Sequence, residues 1–210
     1  MPARAARPRT ARALPRAEGW EKLMAAALKL GAQKRSIHAL GLREIARGAG
    51  LNPNTFYRHF EGNEDLALAM VERIGGGLQQ SLRDVRLREP GTPGQVTRRT
   101  VDHFFEFARG NPDAIVVAMS ELHGASPKVR AALRRLLADI ARELAEDVHA
   151  MNLAPGLSAE AARELGEIVV RQVLYMALDV IESPRRRETL ATQATHFVMA
   201  LFAGAALLTK

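Results

Sequence analysis

The sequence contains no cysteine, which excludes disulfides, thiol redox chemistry and cysteine-ligated zinc. Long apolar runs are missing too. The longest, Phe197 to Leu208, is twelve residues, short of the roughly 20 needed to span a bilayer. The arginine-rich start leads into no apolar core of the kind a secretory signal needs, so a cytoplasmic protein with no membrane partner is expected. Strand character is almost absent. Only Ala114 to Ala118 (AIVVA) has it, and the Asn111-Pro112 start with no partner strand argues for helix. No HExxH or similar ligand spacing occurs around His103, His123 and His149, and Ser120 near His123 lacks a third partner. Neither a metal site nor a catalytic centre is therefore expected, and the chain does not read as an enzyme.

Acid is the scarcer charge. The net charge is +7 and the pI about 10.5, a balance that favours an acidic partner. Arg4, Arg7, Arg9, Arg12 and Arg16 all precede the first acid, Glu18, while Pro2, Pro8 and Pro15 disfavour helix there. Residues 1–17 therefore read as a flexible basic arm, with Arg9 and Arg12 its candidate phosphate contacts.

The stretch that organises the rest is Leu42 to Phe60, LREIARGAGLNPNTFYRHF. Leu42, Ile45, Ala46 and Ala49 recur at three- and four-residue spacing and form one apolar stripe. Gly50 supplies the left-handed residue that ends a helix, and Asn52-Pro53 supplies a cap and a first-turn proline for the next. Phe56 and Phe60, four apart, face inward, which turns Asn54 and Arg58 outward beside Thr55 and Tyr57. This is the pattern of a helix-turn-helix whose second helix enters the major groove.

GLREIARGAGLNPNTFYRHF resembles the signature of TetR-type one-component transcriptional repressors. The resemblance implies that Arg43, Pro53, Asn54, Thr55, Tyr57, Arg58 and His59 face a double-stranded, palindromic operator. Chemistry divides the labour among them. Arg43 and Arg58 suit guanine and Asn54 suits adenine, while Tyr57, Thr55 and His59 suit phosphates. Many members of the family place a phosphate-binding lysine where this sequence has Asn63. EGNEDLALAMVE and NPDAIVVAMSELHGASPKVRAAL are further similar to the FabR and DesT branch, which implies regulation of unsaturated fatty-acid synthesis and a body that binds long-chain acyl-CoA.

The remaining chain reads as helices. The first spans about 18–32, packing Trp20, Leu23, Met24, Ala27 and Leu30 on one face. Asn63 is expected to cap a long helix in which Leu66, Met70, Ile74, Leu78 and Leu82 repeat every four residues. Gly75-Gly76-Gly77 interrupts it, a soft spot or a break. Asn111-Pro112, Ser126-Pro127 and Ser183-Pro184 mark further starts, and Ser158 another. The expected fold is all-α with about nine helices: a helix-turn-helix domain over 18–62 and a ligand-binding, dimerisation body over 63–210.

In that body Phe104, Phe105, Phe107, Met119, Leu122, Tyr175 and Met176 could surround an acyl chain, with Arg171 or Arg130 meeting a charged end. Plain core packing explains each of them singly as well. No resident cofactor is expected. The apolar faces Leu165, Ile168, Val169, Val173, Met176, Val180 and Phe197, Met199, Leu201, Phe202 suggest a second copy, and the family resemblance implies a homodimer closed by a four-helix bundle. Two other readings stand beside the repressor. A recombinase would need nucleophile and acid groups that 63–210 lack, and a lipid carrier would have no use for Asn54, Arg58 and the arm. A TetR-type repressor of another regulon, such as efflux, with a different hydrophobic ligand, is the nearer alternative.

Overall fold

The structure, a computed structural model, describes residues 16–208. Arg9 and Arg12 lie outside the described residues. The helices are α1 (Arg16–Lys34), α2 (Leu42–Gly48), α3 (Pro53–Phe56), α4 (Asn63–Met70), α5 (Gly76–Leu87), α6 (Pro93–Gly110), α7 (Pro112–Glu121), α8 (Pro127–Ala150), α9 (Ala159–Glu182) and α10 (Arg187–Leu208). A π turn, Val71–Gly75, joins α4 to α5 without leaving helical backbone, so the two form one rod and the described residues hold nine helices and no strand. The expected break at Gly75-Gly76-Gly77 is thus a π turn followed directly by helix. AIVVA lies inside α7.

Local chemistry explains most boundaries. Gly50, at φ 67°, turns the chain after α2, in the left-handed region that glycine adopts without strain. The Asn52 side chain accepts from the Asn54 N–H at 2.9 Å, and Pro53 occupies the first turn of α3. Ser126 and Ser158 cap α8 and α9 in the same way, accepting from Val129 and Ala161. Thr92 and Gln95 form a reciprocal capping box on α6. Three expected caps are not made. Asn111 donates back to the Phe107 carbonyl at 2.9 Å, closing α6 instead of opening α7, and Pro184 begins a short 3-10 turn, Pro184–Arg186, ahead of α10.

Asn63 is the third. Its side chain does not cap α4. Its Nδ2 donates to the Ile37 and Leu40 carbonyls at 3.1 and 2.7 Å, stitching the rod to the α1–α2 connector. A side chain committed inward to two carbonyls cannot do the work of an outward phosphate-binding lysine.

Two apolar cores result. The first gathers Leu23, Ile37, Ile45, Phe56 and Phe60 with Leu66 and Met70 of α4 and Val117, Val129 and Leu133 of α7 and α8. The rod's start and two body helices therefore complete the core around the helix-turn-helix. The second core is the body's, centred on Phe105, Ile115, Ala177, Val180 and Ala191. There α8 and α9 pack so closely that a Cβ at Gly166 would sit 2.8 Å from the Ala141 carbonyl oxygen. Pro184–Leu207 reaches the length and mean hydropathy, 1.4, of a membrane span. Leu190, Ala191, Ala194, Val198 and Phe202 pack into the body, and 33% of that apolar window is buried within this chain.

Candidate functional site

The first candidate surface is the outer face of α2, α3 and the turns that follow. Phe56 and Phe60 are buried, their rings 5.7 Å apart, and Trp20 of α1 lies 6.1 Å from Phe60. With those anchors inside, Arg43, Asn54, Tyr57 and Arg58 stand exposed on one side of the head, Tyr57 at 65%. Pro53, Thr55 and His59 are half-buried, and the His59 ring lies close against Gly19 of α1. Backbone bonds from Arg58 to Thr55 and from His59 and Phe60 to Phe56 continue the turn beyond the formal end of α3. The reading helix is therefore short but held through Phe60.

Arg47 joins this surface and was not expected. It is exposed one turn after Arg43 on α2, and its Nε donates to the Arg43 carbonyl at 3.4 Å. The four-residue spacing was the available signal. Glu44, the acid between them, is neutralised locally. It bonds Lys34 at 2.8 Å and the Gly41 N–H at 3.3 Å, and those two bonds, Lys34 first, hold its carboxyl below the usual range.

The second candidate is a cavity of about 430 Å³ between the rod and α6 to α10. The rod contributes its π turn: Val71, Ile74 and Gly75, followed by Leu78. Gly75 is buried so tightly against α8 that a Cβ there would overlap the Leu136 side chain. Leu28 and Ile37 reach the cavity from the head, so one wall is shared with the DNA-facing unit. The size fits an ordinary small-molecule site, and the walls are almost wholly aliphatic and aromatic.

Of the expected ligand residues, Phe104, Phe107 and Leu122 line this cavity. Phe105 is fully buried and Met176 nearly so, both within the body core, and Met119 packs half-buried against that core. Tyr175 is 56% exposed, and Arg171, also exposed, pairs with Glu167 at 3.1 Å. The residues brought together thus come mainly from α4 to α8 and the π turn. Arg130 donates to the Gly124 and Ala125 carbonyls, closing the α7–α8 turn. Val169, Val173, Met176, Val180 and Phe202, expected as surplus apolar surface, are buried inside this single chain. Ile168, Tyr175 and Leu207 stay exposed.

Two buried polar groups interrupt the apolar wall. Arg86, 3% exposed, donates from Nε to Asp147 at 2.6 Å and lies 3.9 Å from Glu143, which Gln79 also bonds at 2.6 Å. This clamp fastens α5 to α8. Glu121, at the end of α7, is 2% exposed and accepts the Ile37 N–H on Oε1 at 2.7 Å. Neither group was expected, because the partners are 61 and 84 residues apart in sequence.

Among the described residues no group of three or more His, Asp or Glu could hold a metal ion. His103 shares a hydrogen bond with Ser81 at 3.0 Å, while His123 and His149 are exposed.

Comparison with known proteins gives this geometry a context. Residues 23–70 match the family described as bacterial regulatory proteins, tetR family. The fold is similar to that of the fatty acid degradation regulator FadR from Bacillus halodurans, with a TM-score of 0.74 and 15% identity over 90% of this chain and 97% of that one. A tetR-family transcriptional regulator from Streptomyces coelicolor is similar at TM-score 0.72 and 21% identity, covering 93% and 85%. FadR from Bacillus subtilis, solved in complex with stearoyl-CoA, is similar at TM-score 0.68 and 17% identity, covering 88% and 98%.

Proposed function

The head of this chain, residues 23–70, is a TetR-family DNA-binding domain, and from that premise we propose a cytoplasmic, dimeric transcriptional repressor that responds to long-chain acyl-CoA. The observation that carries the effector half is the shared cavity wall. Leu28 and Ile37 of the head and the π turn of the rod border the same apolar space as Phe104, Phe107 and Leu122. A long acyl chain is the natural occupant of such walls, and a similar fold holds stearoyl-CoA in the Bacillus subtilis FadR. The regulon that fits is fatty-acid metabolism, unsaturated fatty-acid synthesis first.

On the DNA side, Arg43 and Arg58 read guanine and Asn54 reads adenine, with Arg47, Thr55, Tyr57, His59 and the arm residues Arg9 and Arg12 on phosphates. The exposure of Ile168 and Tyr175 on α9 and of Leu207 on α10 supports a dimer closed through these two helices. The mechanism is a population shift. Filling the cavity favours one setting of the π turn and the connector, and so one spacing of the two heads. Fluorescence anisotropy on a palindromic fragment from the chain's own promoter region, with and without stearoyl-CoA, tests this. Operator affinity should change at least severalfold on addition of the thioester. Operator binding that no acyl-CoA alters would refute the effector reading and leave the DNA reading intact.

A further inference from the structure

The cavity's apolar wall contains one acidic group whose chemistry is incomplete. Glu121 is 2% exposed, lies on the wall, and uses Oε1 to accept the Ile37 N–H at 2.7 Å. Its Oε2 is buried and, among the described residues, has no hydrogen-bond partner. It lies against Gly124, where a Cβ would overlap it. A buried carboxyl oxygen without a donor is costly to leave unmade, and native structures seldom do so without a ligand or water to complete it.

We propose that Glu121 is a recognition subsite for a nitrogen-borne N–H donor on an otherwise apolar effector, the N–H bonding Oε2. This rests on the cavity being the effector site. The donor chemistry has two sources, the amide of the pantetheine arm of an acyl-CoA or the ammonium of a long-chain amine. Recognition here reaches the DNA-facing unit directly, because the other oxygen of the same carboxyl holds the connector that Asn63 ties to the rod. A donor that draws the carboxyl toward the cavity strains the bond to Ile37.

Glu121→Gln is the discriminating variant. Its amide oxygen can still accept the Ile37 N–H, so the fold is kept, while its NH2 replaces the unpartnered acceptor. Calorimetric titration of both full-length proteins with stearoyl-CoA, octadecylamine and stearate, below micelle-forming concentrations, provides the test. The variant should lose about tenfold or more in affinity for at least one N–H-bearing ligand, since bonds to charged groups are the stronger kind. Stearate should bind the variant as well as the wild type, or better. Loss for stearoyl-CoA alone assigns the pantetheine amide, and loss for octadecylamine alone assigns an ammonium. Parallel changes for all three ligands, or no change for either N–H ligand relative to stearate, overturn the subsite. The reading of the effector as an acyl-CoA fails separately, if stearoyl-CoA neither binds nor alters operator affinity.

Discussion

Gly75, Gly76 and Gly77 are neighbours in sequence but not in surroundings, and alanine should act with opposite sign along the three. A Cβ at Gly76 or Gly77 meets open space. Alanine is favoured over glycine by ~1 kcal/mol in a helix interior, so the Gly76→Ala/Gly77→Ala pair should gain about 2 kcal/mol. For a chain of this size that raises Tm by roughly 4–8 °C. At Gly75 the added methyl overlaps the Leu136 side chain, which must rotate away. Overpacking of this kind costs about 1–3 kcal/mol. Set against the propensity gain, Gly75→Ala should be neutral or lose up to about 2 kcal/mol. Gly75 and Leu136 both line the cavity, so the room Leu136 takes comes out of the cavity, and on the proposed function effector affinity should fall. Thermal unfolding of the three single variants and the pair, followed by effector titration, measures both. Equal stabilisation at all three positions would refute the packing notch. A destabilised Gly76/Gly77 pair would refute the open surroundings.

Arg58→Ala should cost roughly 1–3 kcal/mol at one base position and relax specificity there. Uniform weakening on every sequence would instead make Arg58 a phosphate contact. Asn63→Ala removes both bonds to the connector carbonyls and should lower stability by about 1–3 kcal/mol, read by denaturant unfolding. An unchanged midpoint would mean those carbonyls find other donors. Glu64 accepts from Lys128 at 2.8 Å and Ser126 at 2.6 Å, and these bonds, Lys128 first, hold its carboxyl below the usual range. A depressed folded-state pKa gives stability that is complete above the unfolded Glu value of about 4.3 and lost as pH falls through and below it. Glu64→Gln should therefore show a smaller loss of stability between pH 6 and pH 3 than the wild type, and an identical pH profile would remove this junction as a contributor.

The helix-turn-helix was legible almost residue by residue because its signals are local: Gly50, the Asn52 cap and the Phe56–Phe60 spacing all act within one turn. The helical body was legible for the same reason, through Ser126-Pro127 and Ser158. The cavity was legible only in part. Periodicity says that Phe104 and Met176 face inward, but not whether inward means void or core, since that depends on how several helices approach one another. Asn63 was misread because capping is its usual role at a helix start, and its real partners, Ile37 and Leu40, are over twenty residues back. Arg86 and Glu121 look like surface charges until α8 and the connector close over them.

The π turn also fixes an angle. Leu66 to Leu82 spans sixteen residues, with apolar side chains every fourth. An unbroken α-helix advances about 100° per residue, so over that distance the stripe would wander by about 160° and Leu82 would stand nearly opposite Leu66. The wider turn at Val71–Gly75 absorbs about one residue's rotation, cutting the drift to about 60°. Leu66, Met70 and Leu82 are all buried, the first two in the core around the helix-turn-helix and Leu82 in the core of the body. The strict four-residue repeat is thus the mark of an azimuthal correction. If the π turn were drawn back into α-helix, the far half of the rod would swing by about one residue's worth of arc relative to the near half. A device that small, placed on the wall of the cavity, turns a local change of winding into a rotation of everything beyond it.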